Sequence, residues 1–306
     1  MTDQEQTTGA PTRSGFIALI GAPNAGKSTL VNQLVGSKVS IVTHKVQTTR
    51  ALVRGIVIHD QTQMVLVDTP GIFKPKRRLD RAMVTTAWGG AKDADLILVL
   101  IDAELGINEE AEAILDSLHE KKRKVILVLN KVDRIEPPKL LELARDANDK
   151  VKFDKTFMIS ALKGYGCKDL VQYLADHLPE GPWYYPEDQI SDMPMRMLAA
   201  EITREKLYLR LHNELPYSST IETESWEEKP DGSVRISQVI YVERDSQKKI
   251  VLGHKGEAIK SIGQAARKEL MEILEQKVHL FLFVKVRDNW GNDPERYREM
   301  GLEFPH

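Results

Sequence analysis

The sequence predicts two domains: a doubly wound α/β domain, then a smaller α+β domain. Short apolar strands alternate with helical stretches from residue 15 to about residue 178, a pattern typical of a parallel sheet covered by helices on both faces. Residues 179–194 contain four prolines and predict a semi-rigid linker. Residues 195–288 follow with the predicted order helix, strand, strand, helix, helix, strand.

Composition sets limits on this interpretation. A chain of 306 residues is long enough for about two domains. The net charge of -2 gives no overall field that would attract nucleic acid, so RNA binding would need a local basic patch. The one cysteine, Cys167, excludes an intrachain disulfide, and no apolar run approaches the roughly 18 residues of a membrane span. Residues 1–14 are expected to be a disordered tail without a signal peptide, and residues 289–306 a C-terminal tail.

The segment GAPNAGKS, residues 21–28, lies between an apolar strand and an apolar-periodic helix. It matches G-x-x-x-x-G-K-S/T in the strand-to-helix context that a phosphate-binding loop requires. Gly21 and Gly26 let backbone N–H groups converge on phosphate oxygens, while Lys27 would reach the β- and γ-phosphates and Ser28 would bind Mg²⁺. A purely structural glycine turn is the alternative. The expected phosphate-binding residues are Gly21, Asn24, Ala25, Gly26, Lys27, Ser28 and Thr29.

Asp68 ends the apolar strand at residues 64–67 and begins a D-x-x-G motif that closes at Gly71. Such a tetrapeptide is common by chance, so its position at a strand end, after the phosphate loop, is what counts. Asp68 can hold the metal directly or through a water, and the Gly71 N–H can meet the γ-phosphate. This loop is therefore predicted to sense whether that phosphate is present.

Two later strand ends predict the base-binding side of the site. Asp133, in the motif N-K-V-D at residues 130–133, could accept both N1–H and the N2 amino group of guanine, a donor pair that adenine lacks. The Lys131 stem can lie along the base, with Asn130 in the same set. A backbone N–H in the loop Ser160, Ala161 and Leu162 could meet guanine O6, although a generic loop is the alternative.

Together these elements resemble the translation-factor-like small GTPases. The resemblance implies a switch I threonine that caps Mg²⁺ and the γ-phosphate. Thr49 is preferred because related GTPases place this threonine just before an arginine, and Thr48 is the alternative. The metal ligands are then Ser28, Thr49 and Asp68. The catalytic set is Lys27, Asn24, Thr49 and Gly71.

Ile72 follows the D-x-x-G glycine, where many signalling GTPases have a glutamine that orients the attacking water. An aliphatic side chain forms no hydrogen bond, so the sequence resembles the hydrophobic-substituted branch of these GTPases. In several of its members a phosphate-loop asparagine helps bind K⁺, which supplies the charge that an arginine finger gives elsewhere. The hypothesis is that Asn24 has this role, and a plain turn residue is the alternative.

The second domain carries G-x-x-G at residues 253–256, between two helices of a β-α-α-β unit. This context is typical of a KH RNA-binding domain, here of type II. The glycines let backbone amides approach RNA phosphates, and a groove for about four nucleotides would place bases against Ala258, Ile259 and Ile262. A tight helix–helix turn is the alternative. The predicted RNA-binding residues are Gly253, His254, Lys255, Gly256, Ile259 and Lys260.

A GTPase domain followed by a KH domain resembles the Era family of bacterial ribosome-assembly GTPases. The likeness runs from about residue 15 to residue 287 and includes residues 47–50, 214–218 and 289–290. It implies GTP hydrolysis, GTP or GDP and Mg²⁺ as cofactors, and binding near the 3′ end of 16S ribosomal RNA during assembly of the 30S subunit. It also implies a cytoplasmic location, partly on the inner face of the cell membrane.

Alternatives from other classes stay open. They are an RNA-binding scaffold in which the nucleotide is structural, a membrane-associated regulatory GTPase with secondary RNA binding, and a P-loop ATPase. Basic runs at residues 74–78 and 121–124 could contact anionic lipid or RNA, or simply be solvated. In the leading interpretation GTP orders the switch segments, and the proline-rich linker is the hinge that transmits this to the KH domain.

Overall fold

The computed structural model describes residues 11–45, 47–118, 124–211, 218–288, 290 and 293–305. Within these residues the first domain holds a six-stranded sheet with the order β2-β3-β1-β4-β5-β6. Its β2 and β3 are antiparallel, and all other neighbours are parallel. The strands are β1 (Arg13–Gly21), β2 (Val53–His59), β3 (Thr62–Asp68), β4 (Leu96–Asp102), β5 (Val125–Asn130) and β6 (Lys155–Met158).

Helices cover both faces of this sheet, which confirms the doubly wound prediction. Ile97 and Val99 of β4 face one layer, and Leu98 and Leu100 face the other, because side chains alternate along a strand. The first layer is α2 (Arg78–Asp93), α3 (Glu109–Asp116) and α4 (Pro137–Lys150), and the second is α1 (Lys27–Val35) and α5 (Cys167–His177). The carboxyl ends of the parallel strands therefore meet at one edge, where the predicted motifs lie.

The second domain has the predicted element order. A sheet with the order β7-β8-β9 carries helices on one face, with β8 antiparallel to β7 and parallel to β9. In the first helix of this domain Leu207 and Tyr208 fill the core, whereas Leu209 is 47% exposed. The elements are α6 (Met195–Arg210), β7 (Ser219–Glu228), β8 (Val234–Val242), α7 (Asp245–Leu252), α8 (Glu257–Leu274) and β9 (Val278–Val286).

The linker, residues 179–194, is anchored along the edge of the first sheet. Ser191 forms an isolated β-bridge with Gly55 of β2, and Asp192 forms an ion pair of 2.6 Å with Arg54. Its other end pairs with Arg13. Strand β1 begins at Arg13 and includes the last two residues of the predicted N-terminal tail, while residues 1–10 lie outside the described residues.

The predicted C-terminal tail is largely a packed segment. It contains α9 (Pro294–Glu299), and its Trp290, Tyr297 and Leu302 are buried against α2 in one apolar cluster. The sequence did not predict this packing because the apolar residues of the tail are too widely spaced to show a helical period. The Asn289 position, residues 212–217 and residues 121–123 of the basic run lie outside the described residues. No helix in the described ranges is long and apolar enough to cross a membrane.

Candidate functional site

A cleft of about 360 Å³ opens at the carboxyl edge of the first sheet. The phosphate loop forms one end, and the loops after β5 and β6 form the other. Asp68, Ala25 and Ala161 are predicted site residues that lie buried beneath this surface. The predicted residues that line the cleft are Asn24, Gly26, Lys27, Ser28, Thr29, Thr49, Gly71, Asn130, Lys131, Asp133, Ser160 and Leu162.

The phosphate loop needs its glycines for two separate reasons. Gly26, which precedes α1, has a φ of 99°, and a Cβ there would lie 2.1 Å from the Asn130 amide nitrogen. Gly21 has no room for a side chain because its Cβ would lie 2.6 Å from the Leu100 carbonyl oxygen. Asn24 is also left-handed, with a φ of 62°. The loop is thereby curled tightly around the start of α1.

Lys27 is buried in this loop. Its ammonium donates to the carbonyl oxygens of Gly21 and Ala22, each at 3.0 Å. Burial lowers the pKa of Lys27 from 10.5 to about 8, and the nearby Asp68 carboxylate opposes that shift. A bound phosphate would supply the charge compensation that two neutral carbonyls cannot give.

Three hydroxyl groups converge on the Asp68 carboxylate. Its Oδ2 accepts from Ser28 at 2.6 Å, from Ser40 at 2.7 Å and from Thr49 at 3.4 Å. The Ser28 and Thr49 hydroxyls lie 2.9 Å apart. The Thr48 hydroxyl instead donates to the Lys45 carbonyl. The structure therefore brings Thr49, rather than Thr48, to the predicted metal ligands. It also adds Ser40, which no motif in the sequence marked.

The second oxygen of Asp68 makes this cluster suitable for a cation. Among the described residues, Asp68 Oδ1 is buried and has no hydrogen-bond partner. Burial raises the Asp68 pKa, while the three hydroxyls and Lys27 act in the opposite direction. A buried carboxylate oxygen without a donor is the ligand that a hard divalent cation prefers. The donor set therefore fits Mg²⁺.

At the other end of the cleft lies Asp133, whose side chain is 13% exposed. The Ser160 hydroxyl and then the Lys163 ammonium, 3.6 Å away, lower the Asp133 pKa. The group is therefore an ionised acceptor at neutral pH. Lys131 reaches across the floor of the cleft to the Asp102 carboxylate at 2.5 Å. Asp102 was not singled out in the sequence, although its position at the end of β4 could have marked it.

Asn130 is a structural joint between the two ends of the site. Its amide nitrogen donates to the Ala25 carbonyl at 2.8 Å, and its oxygen accepts from the Ala161 N–H at 2.9 Å. The Ala161 N–H belongs to the loop in which a backbone N–H was predicted to meet guanine O6, and here it donates to Asn130. The Asn130 side chain therefore holds the two loops in register.

Ile72 faces away from the cleft. It is 7% exposed and packs in the core between the sheet and the α2 layer, while its N–H donates to the Gly21 carbonyl at 3.0 Å.

The phosphate loop contacts the residues that precede Ile72: a Cβ added at Gly71 would lie 2.9 Å from the Cα of Pro23. The Asn24 amide donates to the His44 carbonyl at 2.8 Å. These contacts place the phosphate loop directly against both predicted switch segments.

The G-x-x-G loop of the second domain joins α7 to α8. Gly253 has a φ of 72°, and a Cβ there would lie 2.7 Å from that of Ala258. His254 and Lys255 are exposed, as is Lys260 in the first turn of α8. Ile259 is partly buried against the core. Ile262, which could either contact bases or belong to the core, is 1% exposed and packs in the core.

Comparisons with known proteins match both domains. A family described as "50S ribosome-binding GTPase" matches residues 16–131, and a family described as "KH domain" matches residues 214–291. GTPase Era of Brucella suis is 78% identical over 300 residues, which is 98% of this chain and 96% of the relative. GTPase Era of Mesorhizobium japonicum is 76% identical over 306 residues, which is 100% of this chain and 99% of the relative.

Two solved structures cover 95% of this chain and 99% of their own, each with a TM-score of 0.90. One is a variant of Aquifex aeolicus Era bound to GDP·AlF4⁻, with 38% sequence identity. The other is Era in complex with MgGDPNP and nucleotides 1506–1542 of 16S ribosomal RNA, with 39% identity. The likeness therefore extends over both domains and their arrangement.

Proposed function

The chain belongs to the Era family of GTPases, and on this premise we propose that it binds GTP or GDP with Mg²⁺, hydrolyses GTP and binds 16S ribosomal RNA near its 3′ end to assist 30S subunit assembly. The observation that carries this proposal is one continuous cleft with Lys27 at one end and the Asp133 carboxylate at the other. A second domain with an exposed G-x-x-G loop accompanies it. The relatives with bound nucleotide and RNA support the same assignment.

Phosphate binding would exchange the partners of Lys27. Its ammonium would leave the Gly21 and Ala22 carbonyls for the β- and γ-phosphates, while loop N–H groups and the N-terminus of α1 would bind the remaining oxygens. The Gly71 N–H would meet the γ-phosphate. Since only the triphosphate reaches that group, the loop after β3 would report hydrolysis.

Ser28, Thr49 and Asp68 would hold Mg²⁺, with Ser40 supporting the carboxylate. When bound, the ion neutralises charge on the β- and γ-phosphates and draws them into one geometry. Asp68 Oδ1, which has no hydrogen-bond partner among the described residues, would bind the ion directly or through a water.

We also propose K⁺ as a further cofactor bound by Asn24. The parent should hydrolyse GTP faster in KCl than in NaCl, whereas Asn24→Ala should have equal rates in both salts. Equal rates of the parent in both salts would exclude a role for K⁺.

The Asp133 carboxylate would select guanine by accepting from N1–H and the N2 amino group. Calorimetric titration should show uptake of GDP with Mg²⁺ and none of ADP. The variant Asp133→Asn should lose GDP affinity by about two orders of magnitude and gain affinity for XDP. Asp116→Asn, on the exposed side of α3, is the matched control. Equal uptake of ADP and GDP by the parent would instead favour a P-loop ATPase.

RNA binding is assigned to the G-x-x-G loop, with Gly253, His254, Lys255 and Gly256 approaching phosphates and Ile259 and Lys260 flanking the groove. Lys255→Glu should weaken binding of a 3′-terminal 16S fragment about tenfold and reduce the salt dependence by about one phosphate contact. Lys229→Glu, in the turn between β7 and β8, is the control. Unchanged affinity for Lys255→Glu would remove the assignment.

The burial of Ile72 favours one second reading: an RNA-binding scaffold in which bound nucleotide is structural and turnover incidental. Hydrolysis measured with and without 30S particles separates the two readings. Stimulation by the particles supports a GTPase cycle, whereas a slow rate that the particles leave unchanged supports the scaffold.

We place the protein in the cytoplasm and partly on the inner face of the membrane, as the family resemblance implies. The exposed basic residues Lys74, Lys76 and Arg77 offer a contact for anionic lipid. Co-sedimentation with anionic vesicles at physiological salt should be lost when all three are replaced by glutamate. If the parent does not sediment, the membrane contact is excluded.

A further inference from the structure

The first switch segment, whose described residues are 38–45 and 47–50, lies against helix α6 of the KH domain. Ile41 is 2% exposed and packs among Leu198, Ala199 and Ile202 in the core of that domain. The segment is thus a shared element, since its middle belongs to the core of one domain and its end supplies Thr49 to the nucleotide site of the other.

Ion pairs hold the beginning of this segment to the same helix. Lys38 contacts Glu205 of α6 at 2.7 Å and also pairs with Glu269 of α8. The Glu205 carboxylate accepts from the Val42 N–H at 2.9 Å, and Lys206 pairs with both glutamates. Glu205 of α6 therefore holds the segment on both sides of Ile41, through the Lys38 ammonium before it and the Val42 N–H after it.

Arg204 holds the end of the segment. Its guanidinium donates to the Thr48 carbonyl at 2.5 Å and to the Gln47 carbonyl at 3.4 Å. The Glu201 carboxylate accepts from its Nε at 2.8 Å, and the Tyr208 ring lies 5.1 Å beneath it. Arg204 is buried, with 2% of its surface exposed. The carbonyl that it grips is bonded directly to the nitrogen of Thr49.

We propose that Arg204 is a positioning residue for GTP hydrolysis: from the KH domain, it fixes the Thr48 carbonyl and so presents the Thr49 hydroxyl to the Mg²⁺ and γ-phosphate side of the cleft. The inference rests on the proposed role of Thr49. A planar guanidinium can hold two adjacent carbonyls and Glu201 at once, whereas a lysine has a single point charge. The KH domain thereby completes the catalytic geometry without contacting the nucleotide.

The test compares Arg204→Lys and Arg204→Gln with Arg210→Gln, an exposed arginine of the same helix. In nucleotide-free protein, amide hydrogen exchange of residues 42–51 should accelerate in both Arg204 variants and stay at the parental rate in Arg210→Gln. With GTP, kcat should fall about tenfold, and the Mg²⁺ concentration for half-maximal rate should rise severalfold. GDP affinity should change less than twofold, because the GDP contacts lie in the phosphate loop and at Asp133.

A double-mutant cycle with Thr49→Ala separates this role from loss of structure. If Arg204 acts through Thr49, Arg204→Lys should lower kcat no further in the Thr49→Ala background. Additive losses, or parental exchange of residues 42–51 in Arg204→Lys, would overturn the inference. RNA affinity reports whether the KH domain of each variant is folded. If Arg204→Gln fails to fold, Glu201→Gln replaces it in the test: this variant keeps Arg204 but removes the charge that holds it, and it should show a smaller effect in the same direction.

If Thr49→Ala itself leaves kcat and the Mg²⁺ requirement unchanged, the proposed role of Thr49 is wrong, and the present inference falls with it. If Thr49→Ala lowers both while the Arg204 variants behave as the parent, only the present inference fails. The two failures are therefore distinguishable.

Discussion

The side-chain amide of Asn130 connects the two ends of the nucleotide cleft and fixes their relative position. Asn130 joins the Ala25 carbonyl to the Ala161 N–H, and Gly26 leaves the space that its nitrogen occupies. Both Gly26 and Gly36 are left-handed, with φ of 99° and 76°, and they flank the same helix α1. A Cβ added at Gly26 would lie 2.1 Å from the Asn130 amide nitrogen, whereas a Cβ added at Gly36 would have no described heavy atom within 4 Å.

This contrast gives a matched pair of variants. Gly26→Ala should lower GDP affinity at least about tenfold, because its Cβ would displace Asn130 as well as strain the backbone. Gly36→Ala should cost about 1 kcal/mol of unfolding free energy from backbone strain alone and leave GDP affinity unchanged. Calorimetry and urea unfolding measure the two quantities. A Gly26→Ala protein that binds GDP like the parent would contradict the steric argument.

The buried Lys27 predicts an unusual pH dependence of stability. Burial lowers its pKa from 10.5 to about 8 in the folded protein, so between these pH values the unfolded state holds more protons and folding stability rises with pH. Below pH 8 the cost of the buried charge is fully present, at about 3 kcal/mol. Nucleotide-free Lys27→Met should therefore be more stable than the parent near pH 7.

The advantage of Lys27→Met should shrink as the pH rises from about 8 to about 10, measured by urea unfolding across that range. Lys168→Met, at an exposed position of α5, should show no such trend. A stability difference between Lys27→Met and the parent that is independent of pH would mean that the lysine is not penalised by burial.

At the scale of elements, the linker behaves as an added edge to the first sheet. Gln63 of β3 is fully buried, and its side chain accepts from the Tyr184 and Tyr185 N–H groups and donates to the Tyr185 carbonyl. One side chain thus satisfies three backbone groups, which anchors the linker at its middle.

Replacing Gln63 by alanine should leave those backbone groups without partners and cost about 2 kcal/mol or more of unfolding free energy. Amide exchange at residues 184 and 185 should accelerate well before global unfolding. Gln61→Ala is the control, because its side chain is exposed and its neighbours bond only to its backbone carbonyl. Continued protection of both amides in Gln63→Ala would show that the linker is held by other contacts.

Elements with a local signal were predictable from the sequence, and elements that depend on distant contacts were not. The apolar run of β4 and the stripe on α8 predict their structures from periodicity alone. Glycine spacing likewise located the phosphate loop and the loop at residues 253–256. By contrast, Ser40 joins the Asp68 cluster only because the first switch segment folds back over α1, and no local pattern encodes that contact. The burial of Trp290 could not be predicted for the same reason, because it depends on contacts with α2, which is distant in sequence.

At the scale of the whole molecule, the C-terminal segment ties the two domains together. Leu302 packs with Leu79, Met83 and Tyr297 in one buried cluster. Arg287, directly after β9, forms an ion pair with Asp293 at the start of α9. Motions of α2, which follows the D-x-x-G loop, are thereby linked to the KH domain.

Leu302→Ala should open a cavity and cost about 2 to 5 kcal/mol of unfolding free energy. Because the cluster is peripheral, the first effect should be local: faster amide exchange in the opening turns of α2, with the strands of the first sheet unaffected. Glu303→Ala, the exposed neighbour, should behave as the parent. Unchanged exchange in α2 would show that the segment does not restrain that helix.

Trp290 gives this molecule an intrinsic optical reporter. Its indole is 2% exposed, donates to the Ser218 carbonyl at 3.0 Å and lies 5.8 Å from the Arg50 guanidinium. An indole so enclosed emits at short wavelength and is shielded from iodide, and hydration shifts its emission to the red and exposes it to quenching. With the other tryptophans replaced by phenylalanine, fluorescence alone could follow the separation of the two domains in real time, without an attached dye.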